Sequence, residues 1–540
     1  MVEFNNLIVD AADDDPDAYW LSVLANKLAA RIPTLCKLRT FYDGREQVPT
    51  NAIPSGTDQK SFAIYKRFLE LGTVNYARII TDNVSSRQKP VGFRQVSDHV
   101  MRSVEADTTW RRNRMDLKSR QVFHDVALYG SGYLYVNAIG TDARIGVLTP
   151  WDAYVSEDDD AAIHYSYDDM NKVERIVLFR CERDENGVVS KVYCRSASRE
   201  SDARTVVDES DSERIYGYCN SSEPYPIRFE QNFRWDDGVD DLPYATECGY
   251  LPLIRLGSGS GMGQFEPHIP ALSALDQQKF DRFCIQTMQA FRQRGIKGMK
   301  RTVYMESDPQ VKAGMAQAGD PIDFGELYAM GPAALWMLPD GADVWESQVT
   351  DITQWCTASA HDVKQLAAAT GTPLDILSPD VAGSAEGASL KRESLLSKVE
   401  DLNARANDAF VRVLRMAMVT SGNAQAADDE FETVWAPIAM DSDLNMAQAV
   451  NYVKDVLPVK LVMRRFLHMT ETEISEAMQD MEDATYQNAF TTAYAATDAA
   501  EGVSSRTGRF VRVDDSDDGA QALVDVDDDA SASDGGESNG

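Results

Sequence analysis

The stretch HDVALYGSGYLYV, residues 124–136, marks the point where the pattern of this sequence changes from helix to strand. The segment from about Val104 to Leu128 is predicted to form a helix, which Gly130 and Gly132 end. The aromatic and β-branched run from Tyr133 to Val136 then has the composition of a strand. The sequence therefore predicts a helical region that leads directly into a β region.

Two more helices are predicted before this boundary. The first covers Tyr19 to Tyr42 and ends at the turn signal Asp43-Gly44. Its apolar residues recur every three or four positions, as on one face of a helix: Leu21, Leu24, Leu28, Ile32 and Leu35. The second covers about Phe62 to Arg87. We therefore expect the N-terminal part of the chain to be helical.

After the boundary, short apolar runs separated by turns predict an antiparallel β region inserted in a helical protein. The runs are Ile145 to Leu148, Ile176 to Phe179, Val188 to Tyr193, Arg214 to Tyr218 and Leu251 to Leu256. The acidic run Glu157 to Asp160 lacks the spacing of a calcium-binding EF-hand and is interpreted as a solvated turn. The glycine-rich run Gly257 to Gly263 lacks the spacing of a phosphate-binding loop and is interpreted as a flexible hinge.

Two helices flank a compact segment farther along the chain. The first is predicted from Ile269 to Arg294. Glycine and proline interrupt the segment from Gly295 to Thr350. Asp351 then caps a helix that Gly371-Thr372-Pro373 ends. Its one-sided stripe contains Ile352, Trp355, Ser359, Val363, Leu366 and Thr370.

The longest helix is predicted behind a loop that covers Leu374 to Ala388. It runs from about Ala388 to Thr420. Its apolar face is Leu395, Val399, Leu402, Ala406, Phe410, Val413 and Ala417. Phe431 to Trp435 is predicted to be a strand that returns to the β region. Asp443 to Met481 is again predicted to be helical, with a capping-box pattern at Thr470 to Glu473.

Length and charge restrict the class of protein. A chain of 540 residues exceeds what one hydrophobic core supports, so several domains are expected. The net charge of −33 argues against a protein that grips nucleic acid by neutralising phosphates. No apolar run reaches the length of a membrane helix, and we expect a protein made and used in the cytoplasm. The C-terminal tail is expected to be disordered, because it carries Asp514, Asp515, Asp517, Asp518, Asp525, Asp527, Asp528, Asp529, Asp534 and Glu537 without Lys or Arg.

No pattern of catalytic or metal-binding residues is present in the sequence. The six histidines are isolated, and no Ser or Cys lies in a recognisable nucleophile motif. The seven cysteines form no C-x-x-C pair and are interpreted as reduced thiols. We therefore predict a protein that is not an enzyme, with no catalytic residues, no metal site and no cofactor.

A series of short motifs, in a common order, resembles the Gp6-like portal family of tailed bacteriophages. The N-terminal ones are Leu38 to Gly44, Asn75 to Val84, Val91 to Arg94, Trp110 to Asn113 and His124 to Tyr133. The later ones are Gln264 to Ile269 before a long helix, Ala367 to Pro373 after a second one, and, more loosely, Ser384 to Glu393. Each motif is weak alone, and their order over about Tyr19 to Met418 carries the resemblance.

The resemblance implies a mixed α+β, predominantly helical portal fold that assembles into a closed ring, commonly of about twelve subunits, around an axial channel. It divides this chain into named parts. These are the wing (1–265), a stem helix (266–294), the clip (295–350), a second stem helix (351–373), the tunnel loop (374–388), the long helix with the strand returning to the wing (389–440), the crown (441–497) and the acidic tail (498–540).

The resemblance also implies a function and partners. Such a ring occupies one vertex of the virion capsid, is assembled in the host cytoplasm, and is the conduit for packaging and ejecting double-stranded DNA. Its partners would be the terminase large subunit, head–tail adaptor proteins, and the major capsid and scaffold proteins. The tunnel loop would present Asp375, Ser378, Asp380, Ser384 and Glu386 to the DNA.

Two charged features remain open to more than one interpretation. The acidity of the chain either keeps DNA sliding in the channel or only keeps a large assembly soluble. The basic cluster Lys297, Lys300 and Arg301 is assigned to the channel or the clip, whereas Arg292 and Arg294 are assigned to a helix C-terminus, where cations are favoured. The rival functions are another virion structural protein, such as a scaffold or capsid protein, and a DNA-packaging enzyme.

Overall fold

The structure is a computed structural model, and it describes residues 6–9, 11–12, 14–45, 59–95, 101–221, 224, 226–290, 294–298, 303–322, 343–346, 348, 351–378, 385–438, 450–452, 456–465, 469 and 474–483. The chain forms two compact units, Met1–Met446 and Ala447–Gly540. The first contains both helices and antiparallel sheets, so the mixed α+β class is confirmed.

Helix α1 (Pro16–Asp43) begins where the Asp15 carboxylate accepts a hydrogen bond from the Asp17 amide at 2.9 Å. The second predicted helix is in fact two, α2 (Gln59–Gly72) and α3 (Tyr76–Ser85). The chain turns between them because Asn75 adopts a left-handed conformation, with φ of 54°.

The helix predicted from about Val104 to Leu128 is also divided, into α4 (Val104–Arg112) and α5 (Met115–Tyr129). Arg114 between them is left-handed, with φ of 56°. The adjacent Asn113 carboxamide oxygen accepts a hydrogen bond from the Ile145 amide at 2.9 Å. Helix α5 ends at Gly130, so the predicted change from helix to strand is confirmed.

Strands fill the region between α5 and residue 257 and pair antiparallel, as predicted. Two strands precede α4, namely β1 (Pro90–Gln95) and β2 (Met101–Arg102). The strands after α5 are β3 (Ser131–Ile139), β4 (Asp142–Leu148), β5 (Ala153–Val155), β6 (Ala161–Asp168), β7 (Val173–Arg183), β8 (Val189–Glu200), β9 (Arg234–Trp235), β10 (Asp240–Asp241) and β11 (Leu253–Gly257). One sheet has the order β10-β8-β7-β6-β5, with β9 also on β8, and another has the order β11-β3-β4. Here Tyr133 lies opposite Arg255 and Leu148.

One predicted strand, Arg214 to Tyr218, is wrong. These residues lie in helix α6 (Ser212–Cys219), which the Asp211 side chain caps by accepting from the Arg214 amide at 3.0 Å. Ile215 and Tyr218 are buried, and their three-residue separation places them on one helix face. A second short helix, α7 (Pro243–Cys248), precedes β11.

The run Gly257 to Gly263 is held against the end of α5, which corrects its interpretation as a hinge. The Ser258 amide donates to the Gly130 carbonyl at 2.9 Å, and the Gln264 amide donates to the Ala127 carbonyl at 2.8 Å. A Cβ at Gly263 would overlap the Leu128 carbonyl oxygen. The glycine is therefore required for a close approach between two backbone segments.

The predicted helices beyond this run are present with changed ends. A short 3₁₀ turn (Glu266–His268) leads into α8 (Ile269–Ala290). Arg294 begins strand β12 (Arg294–Lys297), so the prediction that α8 reaches this residue is wrong. Strand β12 pairs antiparallel with β13 (Asp343–Glu346), and α9 (Pro309–Lys312) lies between them in sequence.

Three helices and a strand complete the first unit: α10 (Thr353–Thr370), α11 (Leu374–Leu377), α12 (Ala385–Thr420) and β14 (Phe431–Trp435). The predicted apolar face of α12 is confirmed, because all seven residues assigned to it are buried. On that face Phe410 packs against Trp110, with ring centroids 4.8 Å apart. The strand predicted at Phe431 to Trp435 is present, but it pairs with β1, which precedes the predicted β region, and not with a strand of that region.

In the second unit, Val459–Arg465 forms helix α13, and residues 474–483 are helical. Val462 and Ile474 are buried. The helical prediction for Asp443 to Met481 is confirmed over residues 450–452, 459–465 and 474–481, whereas residues 456–458 are not helical. The capping-box pattern at Thr470 to Glu473 and the tail 498–540 lie outside the described residues.

Candidate functional site

The candidate site is the junction at which α10 ends, α11 follows and α12 begins. Gly371 ends α10 in a left-handed conformation, with φ of 63°, and a Cβ there would lie 2.6 Å from the Ser394 hydroxyl of α12. The buried Thr370 hydroxyl donates to the Leu366 carbonyl at 2.8 Å, and its oxygen lies 3.0 Å from the Thr372 hydroxyl oxygen, within hydrogen-bonding distance. The motif Ala367 to Pro373 therefore ends a helix tightly against its neighbour.

Lys398 of α12 joins the two long helices at this junction. Its ammonium group donates to the Thr370 carbonyl at 2.7 Å, one of the carbonyls that the end of α10 leaves without an intrahelical partner. Burial lowers the pKa of Lys398. Burial also lowers the pKa of His268, at the start of α8, and the nearby Lys398 charge lowers it further.

Helix α11 forms the base of the predicted tunnel loop. Leu377 is buried, whereas Asp375 is exposed and forms an ion pair of 2.6 Å with Arg392 of α12. Ser378 follows α11, and its amide donates to the Leu374 carbonyl at 2.7 Å. An apolar anchor and an ion pair therefore fix the base of the loop.

The predicted loop bounds, Leu374 to Ala388, are too wide. Leu374–Leu377 is helical, and the last residues of the range belong to α12, which begins at Ala385. The predicted site residues Asp380 and Ser384 lie outside the described residues, as does the side chain of Glu386.

The predicted basic cluster is described only at Lys297. This side chain is exposed on β12, and its residue lies opposite Asp343 of β13. Lys300 and Arg301 lie outside the described residues. Arg294 is in the same strand as Lys297, so its assignment to a helix C-terminus is wrong.

Helix α8 is fixed to the N-terminal helices by contacts that sequence reasoning missed. The Lys279 ammonium donates to the Thr73 carbonyl at 2.8 Å, and the Asp276 carboxylate accepts from the Val74 amide at 2.7 Å. The Phe68 ring of α2 stacks on that of Phe283 at 6.1 Å between centroids. In the sequence, the apolar face of residues 62–71 was the signal that could have predicted that α2 packs against another helix.

A cleft of about 340 Å³ lies between α8 and α10. Its lining includes the small residues Ala271, Ala274 and Ala369, and across it Gln278 donates to Asp362 at 2.5 Å. Within the described residues, no group of His, Cys, Asp or Glu could hold a metal ion. In the same part of the chain, no helix is long and apolar enough to cross a membrane.

A family model of phage virion proteins matches most of this chain. The model is described as "Phage portal protein, SPP1 Gp6-like", and it matches residues 21–488. The chain belongs to this family of phage portal proteins, so it is a virion structural protein.

Three solved structures are similar to this chain over most of its length. The "Neck of empty GTA particle computed with C6 symmetry" shares 14% identity and a TM-score of 0.37, covering 75% of this chain and 93% of that chain. The "Virion of native gene transfer agent (GTA) particle" shares 12% identity and a TM-score of 0.33, covering 80% and 99%. The "Neck of native GTA particle computed with C12 symmetry" shares 11% identity and a TM-score of 0.34, covering 76% and 94%. No curated protein matches the chain.

Proposed function

We propose that this chain is one subunit of a closed ring at one capsid vertex, through which double-stranded DNA enters the capsid and later leaves it. The observation that carries the proposal is membership of the portal family over residues 21–488. The ring is assembled in the host cytoplasm and remains in the virion.

The exposed first half of α10 supports assembly with neighbouring copies. Val363 and Leu366 of its apolar stripe are buried, but Trp355 of the same stripe is 41% exposed. The residues that the structure describes leave a large part of this indole uncovered. An adjacent copy in a closed ring would bury it, which is a favourable use of an exposed aromatic side chain.

We assign the parts of the portal subunit to segments in their order along the chain. Residues 1–265 with β14 form the wing, α8 and α10 form the stem, and the segment 295–350 forms the clip. The segment 441–497 forms the crown. In this assignment the clip, with Lys297, Lys300 and Arg301, docks the terminase and later the adaptor proteins, while the wing contacts capsid and scaffold proteins.

The tunnel loop narrows the channel. Its base is held by Leu377 and the Asp375–Arg392 ion pair, and its tip is the segment Ser378 to Gly387. The tip carries Asp380 and Glu386 and no cation, and a negative surface keeps the duplex from binding tightly to the wall. The energy for DNA movement comes from the terminase.

Electron microscopy of the purified chain tests the proposal. Negative-stain images are expected to show rings with a central hole, and mass photometry is expected to give a mass that is a multiple of 59.9 kDa. A chain that stays monomeric over a wide range of concentrations and salts, or that forms closed shells, would contradict the portal function.

A further inference from the structure

The corner between α4 and α5 concentrates positive charge in a chain whose net charge is −33. We call it the basic corner, and it consists of Arg111, Arg112, Arg114, Lys118 and Arg144. Strand β4 brings Arg144 to this corner because the neighbouring Ile145 is hydrogen-bonded on both sides. Its amide donates to Asn113, and its carbonyl accepts from the Lys118 ammonium.

The cations of the basic corner are close enough to repel each other. The pKa of Lys118 is lowered, mainly by burial and then by the charges of Arg114 and Arg144. Like charges lower the pKa of a base only when they are near it. Arg114, Lys118 and Arg144 therefore form one cluster in space.

Few carboxylates compensate this charge. Arg112 forms an ion pair with Asp142 at 3.0 Å. The nearby Asp116 accepts a hydrogen bond from the Trp110 indole at 2.9 Å. Arg111, Arg114 and Arg144 are exposed and form no ion pair with any residue that the structure describes. The basic corner therefore keeps a net positive charge.

Fold stability does not account for all of these cations. Arg111 and Arg112 lie in the last turn of α4, where the helix dipole favours them. Arg114 and Lys118, however, lie at the start of α5, where the dipole favours anions. The exposed Arg114 guanidinium group therefore lies where the helix dipole disfavours it, and it is better suited to binding an anionic ligand than to stabilising the fold.

We propose that the basic corner binds the phosphates of double-stranded DNA. Several guanidinium groups held on one rigid corner can contact neighbouring phosphates at the same time, and each contact releases counterions. The choice of DNA over an acidic protein surface rests on the proposed function, which brings duplex DNA to this particle. Because the rest of the chain repels DNA, the contact is local, weak and sensitive to salt.

The test measures binding of a fluorescently labelled 30-base-pair duplex to the full chain by anisotropy, in a series of salt concentrations. The variant Arg111→Gln/Arg114→Gln/Arg144→Gln is compared with Arg67→Gln/Arg228→Gln/Arg234→Gln, which removes three exposed cations elsewhere. The first variant is expected to bind at least tenfold more weakly and to lower the slope of log K against log salt by about 3. The control is expected to bind like the unmodified chain.

Replacing the same three arginines by lysine distinguishes an effect of lost positive charge from an effect of disturbed folding. The lysine variant keeps the positive charge and is expected to recover most of the affinity. If all three variants weaken binding equally, or if the unmodified chain binds a polyglutamate peptide but no duplex, the proposal is wrong. Ring formation, imaged for every variant, reports on the proposed function separately, since rings without DNA binding would overturn only this inference.

Discussion

The ammonium group of Lys398 lies 2.7 Å from the carbonyl oxygen of Thr370, which is 28 residues earlier in the chain. A side chain of the longest helix, α12, therefore donates a hydrogen bond to a free carbonyl at the C-terminal end of α10. This contact holds the end of α10 just before the segment that we propose as the tunnel loop. It also places a cation in a half-buried position, where a hydrogen bond offsets part of the cost of removing water from the charge.

Replacing this cation tests the junction. Lys398→Met is expected to reduce the stability of the chain by about 1–3 kcal/mol, because the Thr370 carbonyl loses its donor. The measurement is the shift of the thermal unfolding midpoint. The exposed Lys364 of α10 supplies the control, since Lys364→Met removes the same charge without a buried contact. Equal shifts for the two variants would show that the contact does not stabilise the junction.

A buried carboxylate predicts how stability depends on pH. Asp125 of α5 is 2% exposed, and burial raises its pKa to about 7, with Glu209 raising it further and His124 and Arg39 opposing the shift. The unfolded chain loses this proton near its ordinary value of 3.8, whereas the folded chain keeps it until about pH 7. The native state therefore loses stability as the pH rises through this window.

Asp125→Asn cannot ionise, so it is expected to become progressively more stable than the unmodified chain as the pH rises from about 4 to 8. Unfolding midpoints at several pH values measure the difference. Asp169→Asn, at a side chain that is 86% exposed, is the control and should show no such trend. A difference between Asp125→Asn and the unmodified chain that does not change with pH would contradict the buried-acid interpretation.

The close approach at Gly263 predicts intolerance to any side chain. Gly263→Ala is expected to lower the yield of folded protein or the unfolding midpoint sharply, because the new Cβ overlaps a backbone oxygen that cannot rotate away. Gly146→Ala is the matched control, since its Cβ would meet only the Tyr135 carbonyl oxygen at 3.8 Å. Normal stability of Gly263→Ala would indicate that this run is able to move, as a hinge does.

The proposed role of the tunnel loop is tested by one variant that shortens the loop and one that reverses its charge. Deleting Ser378 to Gly387 should leave rings that enter procapsids but fail to package or retain DNA. Asp380→Lys with Glu386→Lys should slow packaging most at low salt, because added phosphate contacts weaken as salt rises. Asp169→Lys with Glu185→Lys is the control on exposed surface residues. Normal packaging by both loop variants would move the constriction to the stem helices.

Truncation tests the acidic tail. Removing Asp514 to Gly540 is expected to leave ring assembly intact, because a segment with so little apolar surface contributes little to a core. Particle images of the truncated chain provide the measurement. Loss of rings would show that the tail has an ordered partner in the assembly.

The sequence by itself determined the elements whose apolar residues repeat over a long range. The apolar face of α12 and the strand β14 followed from periodicity and composition, because burial selects side chains at the spacing of the element. The glycine and proline punctuation likewise located the end of α10 at Gly371. The order of short motifs gave the family, which the match over residues 21–488 confirms.

Only the tertiary structure decided where long helices break and which of them touch. At the turns, Asn75 and Arg114 adopt the left-handed conformation, and because neither is a glycine the sequence carries no sign of a turn there. Hydrogen bonds to the neighbouring residues, from Val74 to Asp276 and from Ile145 to Asn113, hold the chain at these points. The sequence of α6 resembled a strand because two buried residues three apart are too few to establish a period. Lys398 and Thr370, far apart in sequence, meet because two helices pack, and no local pattern encodes that packing.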